Sequence, residues 1–301
     1  MYPKIKLENL SLSKIVCGTN QFVGITHRPN PFEIQAHKRR FKEPETVAKF
    51  MIHLSQEYGV NCCVSSPREK VYDAIKITEK ETGEKFHWIC SPSIRPSVKG
   101  LDTNIFTQID WCVDHDVSVC MPHRIYTDCV IDKENLVIGG TPFEELQGWM
   151  KSYGNIVAIA MRVYSGIPIK TFKAMYKIPY PEISAYIRDK GMIPGLSTHY
   201  PESIKAVEKN GYDAPLINQP LNMKGYQSSV KPEELIKVIQ GTKIQIQNIK
   251  PMAAGRLEPR PALEFCLKNI KKNDFLAVGF GKYEYCVEDG KILAELLEKL
   301  G

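Results

Sequence analysis

The sequence predicts an α/β fold, a single (β/α)8 TIM barrel over residues 1–301, and three observations carry that expectation. Short apolar runs alternate with amphipathic segments of helix length almost from end to end, the pattern of parallel strands joined by crossover helices. The chain is long enough for the roughly 250 residues such a barrel uses. No interior stretch is rich enough in Pro, Gly or Ser to act as a linker, and no fixed-period repeat or low-complexity segment interrupts it, so one domain is the simplest parse.

In chain order, the first strand is expected at Lys14 to Gly18, followed by a connection of about 20 residues, VGITHRPNPFEIQAHKRRFKE, far longer than a usual strand-to-helix loop. PETVAKFMIHLSQEYG reads as a helix stopped by Gly59, and strands follow at Val60 to Ser65 and Phe86 to Ser91. VSVCMPHRIYTD holds the next strand, Val117 to Met121, broken at Pro122 so that His123 stands at its exit. TPFEELQGWMKSYG reads as a helix with Thr141 as N-cap and Pro142 in its first turn. Strands at Ile156 to Val163 and Met192 to Thr198, a helix in YPESIKAVEKNG ending at Gly211, and a strand at Pro215 to Gln219 come next. PEELIKVIQG, a strand at Lys243 to Lys250, another at Phe275 to Phe280 and a closing helix in VEDGKILAELLEKL complete the set. That makes nine candidate strands for eight barrel positions, so one lies outside the barrel.

Composition narrows the function. A net charge of +6 over this length is mild, and no basic stripe alternates with aromatics, so nucleic acid is not an expected partner. No apolar run reaches the roughly 20 residues that cross a bilayer, and MYPKIKLENL lacks the apolar core of a secretory signal, so a cytoplasmic protein without a membrane partner is expected. The nine cysteines sit mostly in strand-like runs and form no CxxC pair, which points to buried thiols rather than a disulfide framework. Chain length alone does not demand a homo-oligomer, and the oligomeric state stays open.

Several blocks together resemble the aldo-keto reductase superfamily. LENLSLSKIVCGTNQF resembles its N-terminal hairpin and first barrel strand. GMIPGLSTHYPESIKAVEKNGYDAPLINQPLN is similar to its middle unit, and IKPMAAGRLEPRPALEFCLKN with DFLAVGFGKYEYCVED to its last two units. The resemblance runs from about Leu7 to Asp289 and leaves Ile156 to Tyr180 without a counterpart, which marks Ile156 to Val163 as the surplus strand. It implies an Asp-Tyr-Lys-His tetrad and an NADP cofactor. This chain departs from the tetrad: Val64 stands where the Asp belongs, the PREK segment offers no Tyr, and Pro92 follows Ser91 where the Lys belongs. His123 alone is kept.

Carbonyl reduction needs an acid beside the forming alkoxide, so fold resemblance does not carry the activity here. The polar groups at expected C-terminal strand ends converge on one face of a barrel and form the candidate site. His123, His199 and Lys250 are the candidate catalytic residues, able to move protons near neutral pH and to activate a carbonyl. Asn20, His27, Arg28, Arg162 and Asn218 are candidate substrate contacts, His27 and Arg28 lying in the basic first loop, which reads as a candidate lid favouring an anionic substrate. Gly255, Arg256, Gly279, Gly281 and Lys282 follow the last two strands, where barrels bind phosphate of a cofactor or substrate.

The expected function is that of a small-molecule enzyme using histidine acid/base chemistry on an anionic carbonyl or polyol metabolite, with a phosphorylated one among the candidates. Three alternatives stand beside it. One is an NADP-dependent oxidoreductase with its proton donor relocated to Tyr126 or Tyr164. Another is a metal-assisted isomerase or lyase, for which His27, His123, Asp128 and His199 supply divalent-metal ligand types without a signature spacing. The third is a barrel that binds a metabolite without converting it.

Overall fold

A β-hairpin opens the chain in the computed structural model, which describes residues 1–25, 31–92, 95–97, 100–102, 105–140 and 178–300. Its strands are β1 (Lys4–Leu7), which alternates outward lysines with inward Ile5 and Leu7, and β2 (Leu10–Ser13), which buries Leu12, and they turn at Glu8, whose φ is +51°. The first barrel strand, β3 (Ile15–Gly18), follows at once.

Eight parallel strands then close into a barrel: β3, β4 (Cys62–Ser65), β5 (His87–Cys90), β8 (Val119–Cys120), β11 (Ile193–Ser197), β12 (Leu216–Pro220), β13 (Gln245–Ile249) and β14 (Phe275–Gly279), with β14 pairing back onto β3. The remaining short strands, β6 (Arg95–Ser97) with β7 (Gly100–Asp102) and β9 (Ile131–Asp132) with β10 (Val137–Ile138), form two antiparallel ribbons outside it. The expected strand at Ile156 to Val163 and the helix at 141–154 lie outside the described residues, and the barrel closes without either.

The helices around the barrel are α1 (Pro31–Arg40), α2 (Pro44–Tyr58), α3 (Glu69–Thr82), α4 (Ile105–Asp114), α5 (Arg124–Val130), α6 (Tyr180–Asp189), α7 (Pro201–Asn210), α8 (Pro232–Gly241), α9 (Pro259–Asn269) and α10 (Tyr283–Leu300). Six of them, α1, α2 and α6 to α9, carry Pro in the first turn, where no N–H is needed, and α2, α3 and α7 stop at a left-handed Gly: Gly59, Gly83 and Gly211. Among the described residues, no helix is long and apolar enough to cross a membrane.

Period-2 alternation along the strands divides the core in two. One set, including Ile15, Cys17, Cys63, Trp88, Cys90, Leu196, Ile217, Ile246 and Val278, packs against the helices. The other fills the barrel: Val16, Cys62, Ile89, Val119, Met121, Ile193, Leu216, Phe275 and Ala277, joined by Ile5, Leu7 and Leu12 of the hairpin. The hairpin therefore stoppers the N-terminal end of the barrel, and Arg188 of α6 fastens it there. Its guanidinium donates to Glu8 at 2.7 Å and to Asp213 at 2.7 and 2.9 Å. The cysteines whose side chains are described are all free and buried.

The long connection after β3 is not a bare loop, as the sequence reading expected. Residues 31–40 form α1, with Glu33 in its first turn and His37, Lys38, Arg39 and Arg40 in its last, an arrangement that suits the helix dipole. The sequence pattern hides it because the helix carries almost no apolar stripe. It ends on buried Phe41, whose ring packs on Phe22 at 4.8 Å and Phe50 at 5.5 Å, while the Lys70 ammonium donates to the carbonyls of Phe22 and Phe41.

Candidate functional site

The C-terminal ends of β8, β11 and β13 bring three side chains from distant parts of the chain together. The Nζ of Lys250, just past β13, lies 3.3 Å from Nε2 of His199, just past β11. Nδ1 on the other side of that imidazole stands 4.0 Å from Oδ2 of Asp128 on α5. Asp128 also positions the β11 exit through its other oxygen: Oδ1 accepts from the His199 backbone N–H at 2.9 Å and from the Thr198 hydroxyl at 2.8 Å. Arg124, one helical turn before Asp128, places Nη1 3.7 Å from Oδ2.

Burial sets the electrostatics of this group. Asp128 is 8% exposed, and loss of solvent pushes its carboxyl up to about 6, against the opposing pull of the His199 N–H, the Thr198 hydroxyl, Arg124 and Lys250. The same desolvation, with help from Arg124, brings the Lys250 ammonium down to about 7, while Asp128 pulls the other way. Near neutral pH the amine is thus close to half neutral, and one proton can be shared between it and Nε2 of His199.

The backbone at Lys250 is strained. Its φ is +60°, though it immediately precedes Pro251, a position that sterics push toward extended backbone. Ala253 at +48° and Ala254 at +58° share the left-handed region, and only Gly255 at +73° occupies it at no steric cost. Conformations of this kind cost on the order of 1–3 kcal/mol each and cluster at functional sites.

Below this group, facing the barrel axis by strand alternation, Asn218 and Gln247 are register partners on β12 and β13. Asn218 Oδ1 and both amide atoms of Gln247 are buried with no hydrogen-bond partner among the described residues, as is the hydroxyl of Ser91 beyond β5. Such groups normally have partners; at the next positions of the same strands both amide atoms of Gln219 and Oδ1 of Asn248 are likewise unpartnered among the described residues.

Of the other expected residues, His123 stands at the β8 exit, its N–H donating to the Pro92 carbonyl at 2.9 Å, and Asn20 is exposed, its carbonyl accepting from Ile25 at 2.8 Å. His27, Arg28, Arg162 and Tyr164 lie outside the described residues. Tyr126 is a poor relocated proton donor: it is buried, its hydroxyl donates to the Ile178 carbonyl at 2.7 Å, and burial holds it well above the usual phenol range. Asp128 is the member that sequence reasoning weighed only as a metal ligand. The Arg124/Asp128 pair, four apart just after a strand exit, was the available signal. Among the described residues, no group of three or more His, Cys, Asp or Glu side chains is placed to hold a metal ion.

The residues expected to cradle a cofactor's phosphates are occupied by the chain itself. The Gly279 position is covered by Gln21, whose Oε1 would lie 2.5 Å from an added Cβ, and Gly281 faces the His37 ring and accepts a hydrogen bond from Arg40 through its carbonyl. Arg256 lies over the Tyr226 ring at 4.4 Å and donates to the Ala253 carbonyl at 3.0 Å. Lys282 sits 5.3 Å over Tyr285, and Gly255 completes the strained turn. In this arrangement the side chains of Gln21, His37 and Arg40 lie against the glycines at the end of β14.

These features define a (β/α)8 barrel with its own polar group at the mouth. No family model matches the chain, and no curated protein matches it either. Among solved structures it is similar to a Pseudomonas aeruginosa protein assigned to the aldo-keto reductases, at 13% identity and a TM-score of 0.56, over 98% of this chain and 95% of that one. It is also similar to Gox0644, at 9% identity and a TM-score of 0.52 over 100% and 93% of the two chains, and to a mutant of Gox0644 in complex with NADPH, at 8% identity and a TM-score of 0.53. At these identities the likeness is one of fold.

Proposed function

We propose that the protein is a small-molecule enzyme that moves protons on an anionic carbonyl or polyol metabolite at the C-terminal mouth of its barrel. The observation that carries this reading is the 3.3 Å approach of Lys250 to His199, with Asp128 behind the imidazole. His199 acts as acid and base, Asp128 orients it and balances its charge, and Lys250 stabilises negative charge as it develops on the substrate oxygen. His123, at the neighbouring strand exit, serves as the second acid. Arg124 and the N-terminus of α7, which has no side-chain cap, support an anionic substrate.

Proton exchange tests the reading directly. Phosphorylated and carboxylated ketones and aldoses are incubated with the protein in D2O, and loss of the proton next to the carbonyl is followed by NMR. One substrate class should exchange, and His199→Ala should slow that exchange by about 10²–10⁴-fold. Exchange that is indifferent to both His199→Ala and His123→Ala would overturn the assignment. The NADP-dependent reading has less support, because the expected tetrad is missing and Gln21, His37 and Arg40 lie against the glycines at the end of β14.

A further inference from the structure

We infer that Lys250 is a covalent catalyst, forming an imine with the carbonyl carbon of a small hydroxylated aldehyde or ketone whose remaining polar groups are held by Ser91, Asn218 and Gln247. The inference rests on the reading of the barrel mouth as a small-molecule site and names the substrate class and the bond that forms there.

Three independent features converge on it. A lysine whose only task is to offer positive charge is best left hydrated and mobile, whereas the Lys250 amine is desolvated and its backbone is held in the left-handed region at φ +60°. A nucleophilic amine needs a neighbour to take up and return protons, and Nε2 of His199 is within reach at 3.3 Å. Three residues upstream of Lys250, on β13, the Gln247 amide is buried with both of its atoms unpartnered among the described residues, beside Asn218 Oδ1 in the same condition. Together with the Ser91 hydroxyl these offer donors and acceptors to hydroxyl groups and nothing to an apolar chain. Desolvation of the amine adds reactivity to a geometry already suited to attack.

The step balances without an oxidant or reductant. The amine lone pair attacks the carbonyl carbon, a C–N bond forms, and the C=O π electrons move to oxygen. His199 takes a proton from nitrogen and gives it to that oxygen. A second proton, from solvent, lets the oxygen leave as water, so that C=N⁺H–Lys forms with net uptake of one proton and release of one water. The iminium acidifies the adjacent C–H, which is the bond the acid/base group then works on.

Reductive trapping tests this on the wild-type protein and needs no variant to fold. Glyceraldehyde, dihydroxyacetone phosphate and pyruvate are each incubated with the full chain at pH 7 and sodium cyanoborohydride, and the modified lysines are located by peptide mass mapping. Lys250 should carry the adduct of at least one hydroxylated probe, at a rate about tenfold or more above any other lysine. His199→Asn should slow its formation, and Lys250→Arg should abolish it. An unmodified Lys250 with all three probes, or labelling no faster than at surface lysines, would overturn the inference. Its failure is separable from that of the broader reading: His199-dependent exchange that persists in Lys250→Arg keeps proton transfer and removes the imine. A Lys250 adduct without any exchange does the reverse.

Discussion

Lys250 and His199 meet at 3.3 Å although 51 residues separate them, because closure of the barrel sets the ends of β11 and β13 on either side of β12. Their shared environment makes the amine's titration a direct readout of the site. Acylation of Lys250 by a limiting amine reagent, followed peptide by peptide against pH, should show a midpoint near 7, well below that of surface lysines. Asp128→Asn keeps an oxygen for Thr198 and the His199 N–H but removes the charge that favours the ammonium, so the midpoint should fall further. A midpoint that rises in that variant would mean that Asp128 acts on Lys250 in another way.

Stability should carry the opposite signature of the same burial. Below pH 7 the Lys250 amine is charged in both folded and unfolded chains, and the fold bears the full cost of desolvating it. Between pH 7 and 10.5 the unfolded chain holds a proton that the folded chain does not, so stability attributable to this residue rises with pH. Lys250→Met should therefore stabilise the protein by about 1–4 kcal/mol at pH 6, and the gain should shrink by pH 10, measured by urea unfolding at the two pH values. Asp128 has the reverse dependence at lower pH: its raised carboxyl retains a proton between 3.8 and about 6, and its contribution is lost as pH rises through that window.

Two glycines of the barrel should respond differently to one added methyl. A Cβ at Gly195 would stand 2.5 Å from the Leu216 carbonyl oxygen on β12 and 2.7 Å from Met121, and backbone of a paired strand has nowhere to go. A Cβ at Gly279 meets the far end of the Gln21 side chain, which can swing away. Gly195→Ala should cost about 1–3 kcal/mol and Gly279→Ala less than about 1 kcal/mol by denaturant melts. Equal losses would show that Gln21 is held as rigidly as the strand.

Arg188 should matter more than its surface position implies. It bridges Glu8 in the hairpin turn and Asp213 before β12 with paired hydrogen bonds, a geometry stronger than an ordinary surface ion pair. Arg188→Ala should lower stability by about 1 kcal/mol, and hydrogen exchange should reveal the loss as faster opening confined to β1 and β2.

Each barrel strand was legible within about two residues because an interior apolar run of that length leaves few other ways to be buried. The site was legible as residues and not as an arrangement. His199 and Lys250 could be named as polar exits from apolar strands, but their pairing belongs to the closure of the sheet. Asp128 was legible only as a metal-ligand type, because its place behind the His199 ring depends on how α5 packs beside the β11 exit. The left-handed backbone at Lys250 had no sequence signal, since the following Pro251 argues for the opposite conformation. Glycines after the last two strands advertised an open cradle. That Gln21 and His37 fill it follows from the fold of α1, a helix too polar to announce itself.

The hairpin that seats Ile5, Leu7 and Leu12 in the floor of the barrel also decides its traffic. With that end stoppered and the interior filled by side chains, a ligand of the function proposed above would have to arrive at, and leave from, the same end of the barrel, the one that carries Lys250 and His199.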